Sequence, residues 1–357
     1  MQIRTFPVEK AAQTKIHQVN LDQPTFGKFF TDHMFVADYR NGQWQNPRIV
    51  PFQRLSLHPA TSALHYGQSI FEGLKAFHHR PTGRPALFRV EDNWRRMNRS
   101  AQRMCMPELP RELFVDAIYE WLSVDADWVP KGEGTSLYIR PFMFAADEYV
   151  GIRPSETYQY IIFGSPAGPY YPAPIPIRFE FKYSRACEGG TGAAKAAGNY
   201  GGSLYPAQLA MEEGYRQLIW TDACRHQIIE ESGTMNIFFV IDGRVITPSI
   251  RRGTILEGIT RDSVIQLLRH RNITVEERDI TVDEVVDGLE SGRLTEVFGT
   301  GTAASVAFIS GIGYRDKHYD LPELSEEESI ARQMKKLLEG IKYGTEADPF
   351  GWVTIVE

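Results

Sequence analysis

Residues 1–30 are polar and weakly patterned and read as an extended lead-in. Regular patterning begins with an apolar run over 34–39, then Asn41-Gly42, then a second, partly apolar run to Leu57. That order predicts a hairpin around an Asn-Gly turn. Residues 69–73 predict one short helical turn, and 74–77 and 86–89 predict strands joined across a turn containing Pro81 and Gly83. From Glu91 to Met104 the period changes. Trp94, Met97 and Ala101 recur at helical spacing, and Phe114, Val115, Ile118 and Leu122 predict a second helix over 112–122. Continuous apolar runs at 137–144 and 158–163 predict buried strands.

The pattern then breaks. Residues 165–176 hold five prolines, too many for a helix or a central strand, and predict an interdomain linker over 166–177. Beyond it, a helix from Asn199 ends near Gly214, with Pro206 in or before its first turn. Strands follow at 218–221 and 236–241, the latter turning at Asp242-Gly243 into 244–247. Thr260 stands as the N-cap of a helix that puts Val264, Leu267 and Leu268 on one face. Thr281-Val-Asp-Glu284 has the form of a capping box, and 296–304 reads as a strand entering a turn of small residues. The expectation is an α+β chain of two mixed domains, 1–165 and 178–357, with the linker between them.

Composition narrows the partners. A length of 357 residues suits two domains with a core each. A net charge of -6 without any Lys/Arg run argues against nucleic acid. Three scattered cysteines provide neither a disulfide framework nor zinc spacing, and the nine histidines show no metal-binding pairing. No apolar run reaches membrane-spanning length, and the first residues lack the apolar core of a secretory signal. The expectation is a cytoplasmic protein with no metal, no nucleic-acid partner and no membrane.

Lys195 lies in Glu188-Gly-Gly-Thr-Gly-Ala-Ala-Lys-Ala-Ala-Gly-Asn-Tyr-Gly-Gly202. Its neighbours have almost no side chain, so something flat and bulky could lie against the backbone. A lysine in so bare a setting can act as a nucleophile toward a carbonyl. Glu231 is a carboxylate between an apolar strand and a glycine turn, with Glu230 as its competitor, and Tyr200 lies five residues beyond the lysine. The helix start at Thr260 and the turn Gly299-Thr-Gly-Thr302 offer N–H-rich anion sites. Arg96 could add positive charge, with Arg95, Arg99 and Arg103 equal to it on pattern alone. An amine, a ring-nitrogen partner, a phenol-oxygen contact and a phosphate cradle are what pyridoxal phosphate asks of a protein.

The ordered set His65-Tyr-Gly67, Ser69-Ile-Phe-Glu-Gly73, Tyr138-Ile-Arg-Pro141, Lys195-Ala-Ala-Gly-Asn-Tyr200, Glu231-Ser-Gly-Thr-Met-Asn236, Gly258-Ile-Thr-Arg261 and Gly301-Thr-Ala-Ala304 resembles the branched-chain amino acid aminotransferases. These are fold-type IV pyridoxal phosphate enzymes, and the Gly-Thr-Met-Asn form is similar to their eukaryotic-type branch. The resemblance implies a smaller N-terminal domain and a larger C-terminal one built on a mixed, barrel-like sheet. It implies reversible transamination of L-leucine, L-isoleucine and L-valine with 2-oxoglutarate, by ping-pong kinetics, in a homodimer or a larger homo-oligomer.

Carried over by position, Lys195 would be the Schiff-base lysine and Glu231 the partner of the pyridine nitrogen. Tyr200 would meet the phenolic oxygen, and Arg96, Ile259, Thr260 and Thr302 would hold the phosphate. Tyr66, Phe71, Tyr138, Tyr170, Thr302 and Ala303 would line the substrate pocket. Arg140 would sit near the substrate's carboxylate or side chain, with Val150 and Ile152 reaching in from a second subunit. Animal relatives carry a Cys-x-x-Cys pair after the Gly-Thr-Ala turn. Here the residues are Ala304-Ser-Val-Ala307, which excludes a thiol switch at that place.

Two other readings set the alternatives. A D-amino acid aminotransferase or aminodeoxychorismate lyase shares the fold, but Tyr138-Ile-Arg-Pro and Glu231-Ser-Gly-Thr-Met-Asn argue against both. A nucleotide-binding loop would need Gly before Lys195 and Ser or Thr after it, and alanines stand there.

Overall fold

The computed structural model describes residues 6–356. Contacts divide them into two units, one of 6–170, 194–197 and 339–356, the other of 171–193 and 198–338. In the first unit the described residues form an eight-stranded sheet. Its order is Val353–Ile355, Arg84–Phe88, Leu74–His79, Ser136–Ala145, Tyr158–Ala167, His33–Arg40, Gln43–Pro51, with Ser69–Phe71 also paired to Ser136–Ala145. The predicted hairpin forms, with Asn41 and Gly42 both at positive φ and Arg40 opposite Gln43, the geometry of a two-residue type I′ loop.

Period-two alternation places successive side chains of His33–Arg40 in different cores. Phe35 and Ala37 join a cluster with Met97, Phe114, Ile118, Trp121 and Tyr160, whereas Met34 and Val36 join Val50, Phe144 and Ile161. The predicted helices are Val90–Arg103 and Ala117–Val124. A π-helical turn, Glu112–Asp116, precedes the second, and this wider winding buries three consecutive residues, Leu113, Phe114 and Val115.

Three expectations need correction. Residues 69–71 are a strand, because Ile70 is paired on both sides, to Met143 and to Ala196. The described part of the lead-in is tied down. Thr14 and the Lys15 N–H bond Asp32, the Ala11 N–H donates to His33 Nε2, and Val8 bridges Ile49. The proline-rich stretch is irregular only over 168–174, since Pro166 lies inside Tyr158–Ala167 and Pro176 inside Ile175–Phe179. Pro176 is tolerated there because the ladder slips between Ile309 and Gly311, opposite the missing N–H. The residues at 339–356 cluster with the first unit, because Val353–Ile355 pairs with Arg84–Phe88.

In the second unit the described residues form a nine-stranded mixed sheet. Its order is Ile229–Ser232, Gln217–Thr221, Ile175–Phe179, Ser305–Tyr314, Leu294–Gly301, Asn236–Ile241, Arg244–Thr247, Val275–Glu277, with Lys317–Asp320 also paired to Ser305–Tyr314. Ile175–Phe179 runs parallel to both its neighbours, and so does Arg244–Thr247 to Val275–Glu277. Ile237, Phe239, Val297, Ala307 and Ile312 form its core with Val282, Val285 and Val286 of helix Val282–Glu290. Thr281 caps that helix, its hydroxyl accepting the Glu284 N–H. The Glu284 carboxylate goes to Arg278 instead of completing a box. Helix Ile330–Tyr343, which periodicity did not single out, starts on Glu296, whose carboxylate accepts the Ile330 and Ala331 N–H groups. Among the described residues no helix is long and apolar enough to cross a membrane.

Lys342, in the last turn of that helix, belongs to the first unit and is only 5% exposed. Its ammonium lies 5.0 Å from the Phe88 ring centre and 5.5 Å from that of Phe77. Burial drives its pKa from 10.5 down to about 8. Between those values the unfolded chain binds the extra proton, so stability should rise with pH through this window. Lys342→Met is expected to add about 2 kcal/mol at pH 7 and to abolish that rise. Denaturant titrations at pH 7 and pH 10 check both.

Candidate active site

In the first unit, both backbone groups of Lys195 are held. Its N–H donates to Ser100 Oγ at 2.9 Å, and its carbonyl accepts the Phe71 N–H at 3.1 Å. Ser100 is fully buried on helix Val90–Arg103, and the Phe71 ring centre lies 5.0 Å from Lys195 Nζ. The lysine is half-buried, and its direction is set by strand and helix, not by its glycine-rich flanks.

The Arg140 guanidinium packs 4.4 Å from the centre of the same Phe71 ring and donates to Tyr138 Oη at 2.9 Å. Its Nε is buried without a hydrogen-bond partner, a donor kept away from water. Gly73 makes room for this arrangement, since a Cβ there would fall 2.1 Å from Tyr138 Oη. Tyr138 also meets Phe26 edge-on at 5.0 Å, and Phe26 in turn meets Tyr170 at 5.9 Å. Phe26 escaped the sequence reading because it lies in the unpatterned lead-in. Its signal was an aromatic residue beside Gly27, whose N–H is anchored on Ser165 Oγ.

Of the four arginines on helix Val90–Arg103, Arg96 alone is buried; Arg95, Arg99 and Arg103 are exposed. Arg96 makes a bidentate pair with the fully buried Glu72, at 2.7 and 2.8 Å. Tyr66, Val150 and Ile152 are exposed, by 42%, 64% and 92%. The Thr61–Glu148 bridge joins the helix of Tyr66 to the loop of Val150 and Ile152 on one surface.

In the second unit, Glu231 is buried and clamped. Arg185 Nε lies 3.0 Å from Oε2, and the Leu256 N–H donates to Oε1 at 2.5 Å. The rest of the Arg185 guanidinium donates to the carbonyls of Thr254 and Gly192. Gly192 is bare for the protein's own packing, because a Cβ would sit 2.2 Å from the Thr254 carbonyl. Glu230 differs. Its Oε2 is buried with no partner, and burial pushes its pKa up to about 7. Glu231 is therefore the carboxylate built to carry charge, and Arg185, far from it in sequence, is the residue that spacing missed.

Helix Ile259–His270 begins two residues earlier than a Thr260 cap predicts, with Gly258 as N-cap and Thr260 buried in the first turn. A side chain at 258 is barred, since its Cβ would lie 1.9 Å from Asn236 Oδ1. Asn236 also donates to the Leu256 carbonyl, so the helix start and the Glu231 clamp are one construction. Tyr200 is half-buried on Ala197–Gly201, its carbonyl accepting from the N–H and hydroxyl of Ser203. Thr302 and Ala303 form the half-buried turn between Leu294–Gly301 and Ser305–Tyr314.

The Amino-transferase class IV family matches residues 69–312, from the strand of Phe71 past the 302–304 turn. The chain belongs to the class IV amino-transferases. It is 44% identical over 347 residues to branched-chain-amino-acid aminotransferase 2 of Bacillus subtilis (strain 168), covering 96% of this chain and 95% of that protein. It is 40% identical over 351 residues to the branched-chain-amino-acid aminotransferase of Mycolicibacterium smegmatis, covering 96% and 95%. The crystal structure of the Escherichia coli branched-chain amino acid aminotransferase matches with a TM-score of 0.74 at 26% identity, over 92% of this chain and 100% of that one. Membership of the class IV amino-transferases removes the nucleotide-binding reading of the glycine-rich stretch.

Proposed function

We propose the following division of labour in this branched-chain amino acid aminotransferase. The enzyme moves the amino group of L-leucine, L-isoleucine or L-valine to 2-oxoglutarate, reversibly, with pyridoxal 5′-phosphate as cofactor. The residues fit that cofactor. The half-buried amine of Lys195 suits its aldehyde, the clamped Glu231 carboxylate suits a protonated ring nitrogen, and Tyr200 serves the phenolic oxygen. The N-terminus of helix Ile259–His270, with Ile259 and Thr260, serves the phosphate together with Thr302 and Arg96.

Bound cofactor supplies an electron sink for the charge left when an α-proton departs. Lys195 Nζ takes that proton as general base and returns it at the cofactor's C4′. Glu231, paired with Arg185 and accepting the Leu256 N–H, keeps the ring-nitrogen proton in place. The same residues run the second half-reaction in reverse.

The observation that carries the substrate class is the stack of Arg140 on Phe71 beside Tyr138. One pocket must take both an aliphatic side chain and a carboxylate. Phe71, Tyr138, Tyr170, Phe26 and Ala303 supply apolar wall, where burying a leucine side chain contributes about 1.5–3 kcal/mol. Arg140, with its unpartnered Nε, and Tyr66 receive the carboxylate. Leu64, Tyr66, Tyr149, Val150 and Ile152 form an exposed apolar surface suited to a second copy of the chain, which brings Val150 and Ile152 to the partner's site. The dimer works in the cytoplasm, in keeping with three free, exposed cysteines.

Mixing the cofactor-loaded enzyme with L-leucine alone is expected to convert bound cofactor to pyridoxamine phosphate, visible as loss of its long-wavelength absorbance. D-Alanine should leave the spectrum intact. A spectrum that ignores L-leucine contradicts the substrate assignment. In the same assay Arg140→Ala should slow L-glutamate at least about tenfold more than L-leucine, on the scale of one charge-assisted hydrogen bond. Equal losses remove Arg140 from the carboxylate role.

A further inference from the structure

Glu72 is fully buried, and its partner Arg96 is 3% exposed. The attraction between two charges taken this far out of water seldom outweighs their desolvation, so a buried pair is weak evidence for a stability device. Its surroundings suggest another use. The Glu72 N–H donates to the Pro141 carbonyl at 2.7 Å, and Glu72 Oε2 accepts the Gly73 N–H at 3.2 Å, so the carboxylate is fixed before it meets Arg96. The preceding residue, Phe71, holds the Lys195 carbonyl through its N–H. Arg96 lies one helical turn from Ser100, which holds the Lys195 N–H.

The links close into a ring: Lys195 to Phe71, Phe71 to Glu72, Glu72 to Arg96, Arg96 along the helix to Ser100, and Ser100 back to Lys195. A bidentate carboxylate fixes the plane of a guanidinium as well as its position. We propose that Glu72 is a positioning residue that fixes the Arg96 cation relative to Lys195, and so makes the site select a phosphorylated aldehyde over its phosphate-free form. The inference rests on the reading that Arg96 serves the cofactor phosphate.

The test titrates the full chain, stripped of cofactor, with pyridoxal 5′-phosphate and with pyridoxal, reading bound fraction from equilibrium dialysis and visible absorbance. Glu72→Gln is expected to weaken pyridoxal 5′-phosphate about tenfold or more while changing pyridoxal by less than about twofold. Glu72→Asp keeps the charge but withdraws it by one methylene, and should give a smaller loss of the same phosphate-specific kind. It decides the question if the glutamine variant does not fold. Variants that bind both aldehydes as the parent does, or lose both equally, overturn the role of Glu72. A parent protein that itself prefers neither aldehyde overturns instead the reading of Arg96 beneath it.

Discussion

The positions of the reactive groups depend on the capture of the Lys195 backbone from two directions. A lysine flanked by Gly and Ala has no packing of its own to set its course, and a loose loop would have to be ordered at each turnover against its conformational entropy. Ser100 takes its N–H and Phe71 its carbonyl, so a helix and a strand place the residue together. Two cations then lie against the Phe71 ring, Lys195 and Arg140, within 5.0 and 4.4 Å of its centre. Catalysis by positioned groups tolerates little slack, and this double anchoring supplies the stiffness.

Three buried glutamates show how surroundings assign different chemistry to one side chain. Glu72 is engaged by a guanidinium that balances its charge. Glu231 receives an arginine and a backbone N–H, which keeps it an acceptor. Glu230, one residue away on the same strand, has a buried oxygen without a partner, and burial raises its pKa to about 7. The ladder shifts register between Ile229 and Ser232, so it is the partners of the two adjacent carboxylates, and not simple alternation, that set them apart.

Much of this was legible from period and motif. The Asn41-Gly42 hairpin, the helix Val90–Arg103 and the buried central strands follow from local pattern, because turn chemistry and amphipathicity act over a few residues. Lys195 and Glu231 stood out by composition and setting. What did not show was set at long range. Residues 69–71 become a strand through partners at 143 and 196, and Arg185 reaches Glu231 from a distant part of the chain. Phe26 is recruited from a stretch with no period at all, and Gly258 stands as cap in place of Thr260, at a position where a Cβ would meet Asn236 from a distant strand.

The central claim is that Lys195 is the amine that holds the cofactor, and chemical trapping tests it most directly. The enzyme loaded with pyridoxal 5′-phosphate would be reduced with sodium borohydride, digested and mapped by mass spectrometry. A phosphopyridoxyl group on the peptide containing Lys195 is the predicted result. The same group fixed on a different lysine, with Lys195 unmodified, would contradict the account.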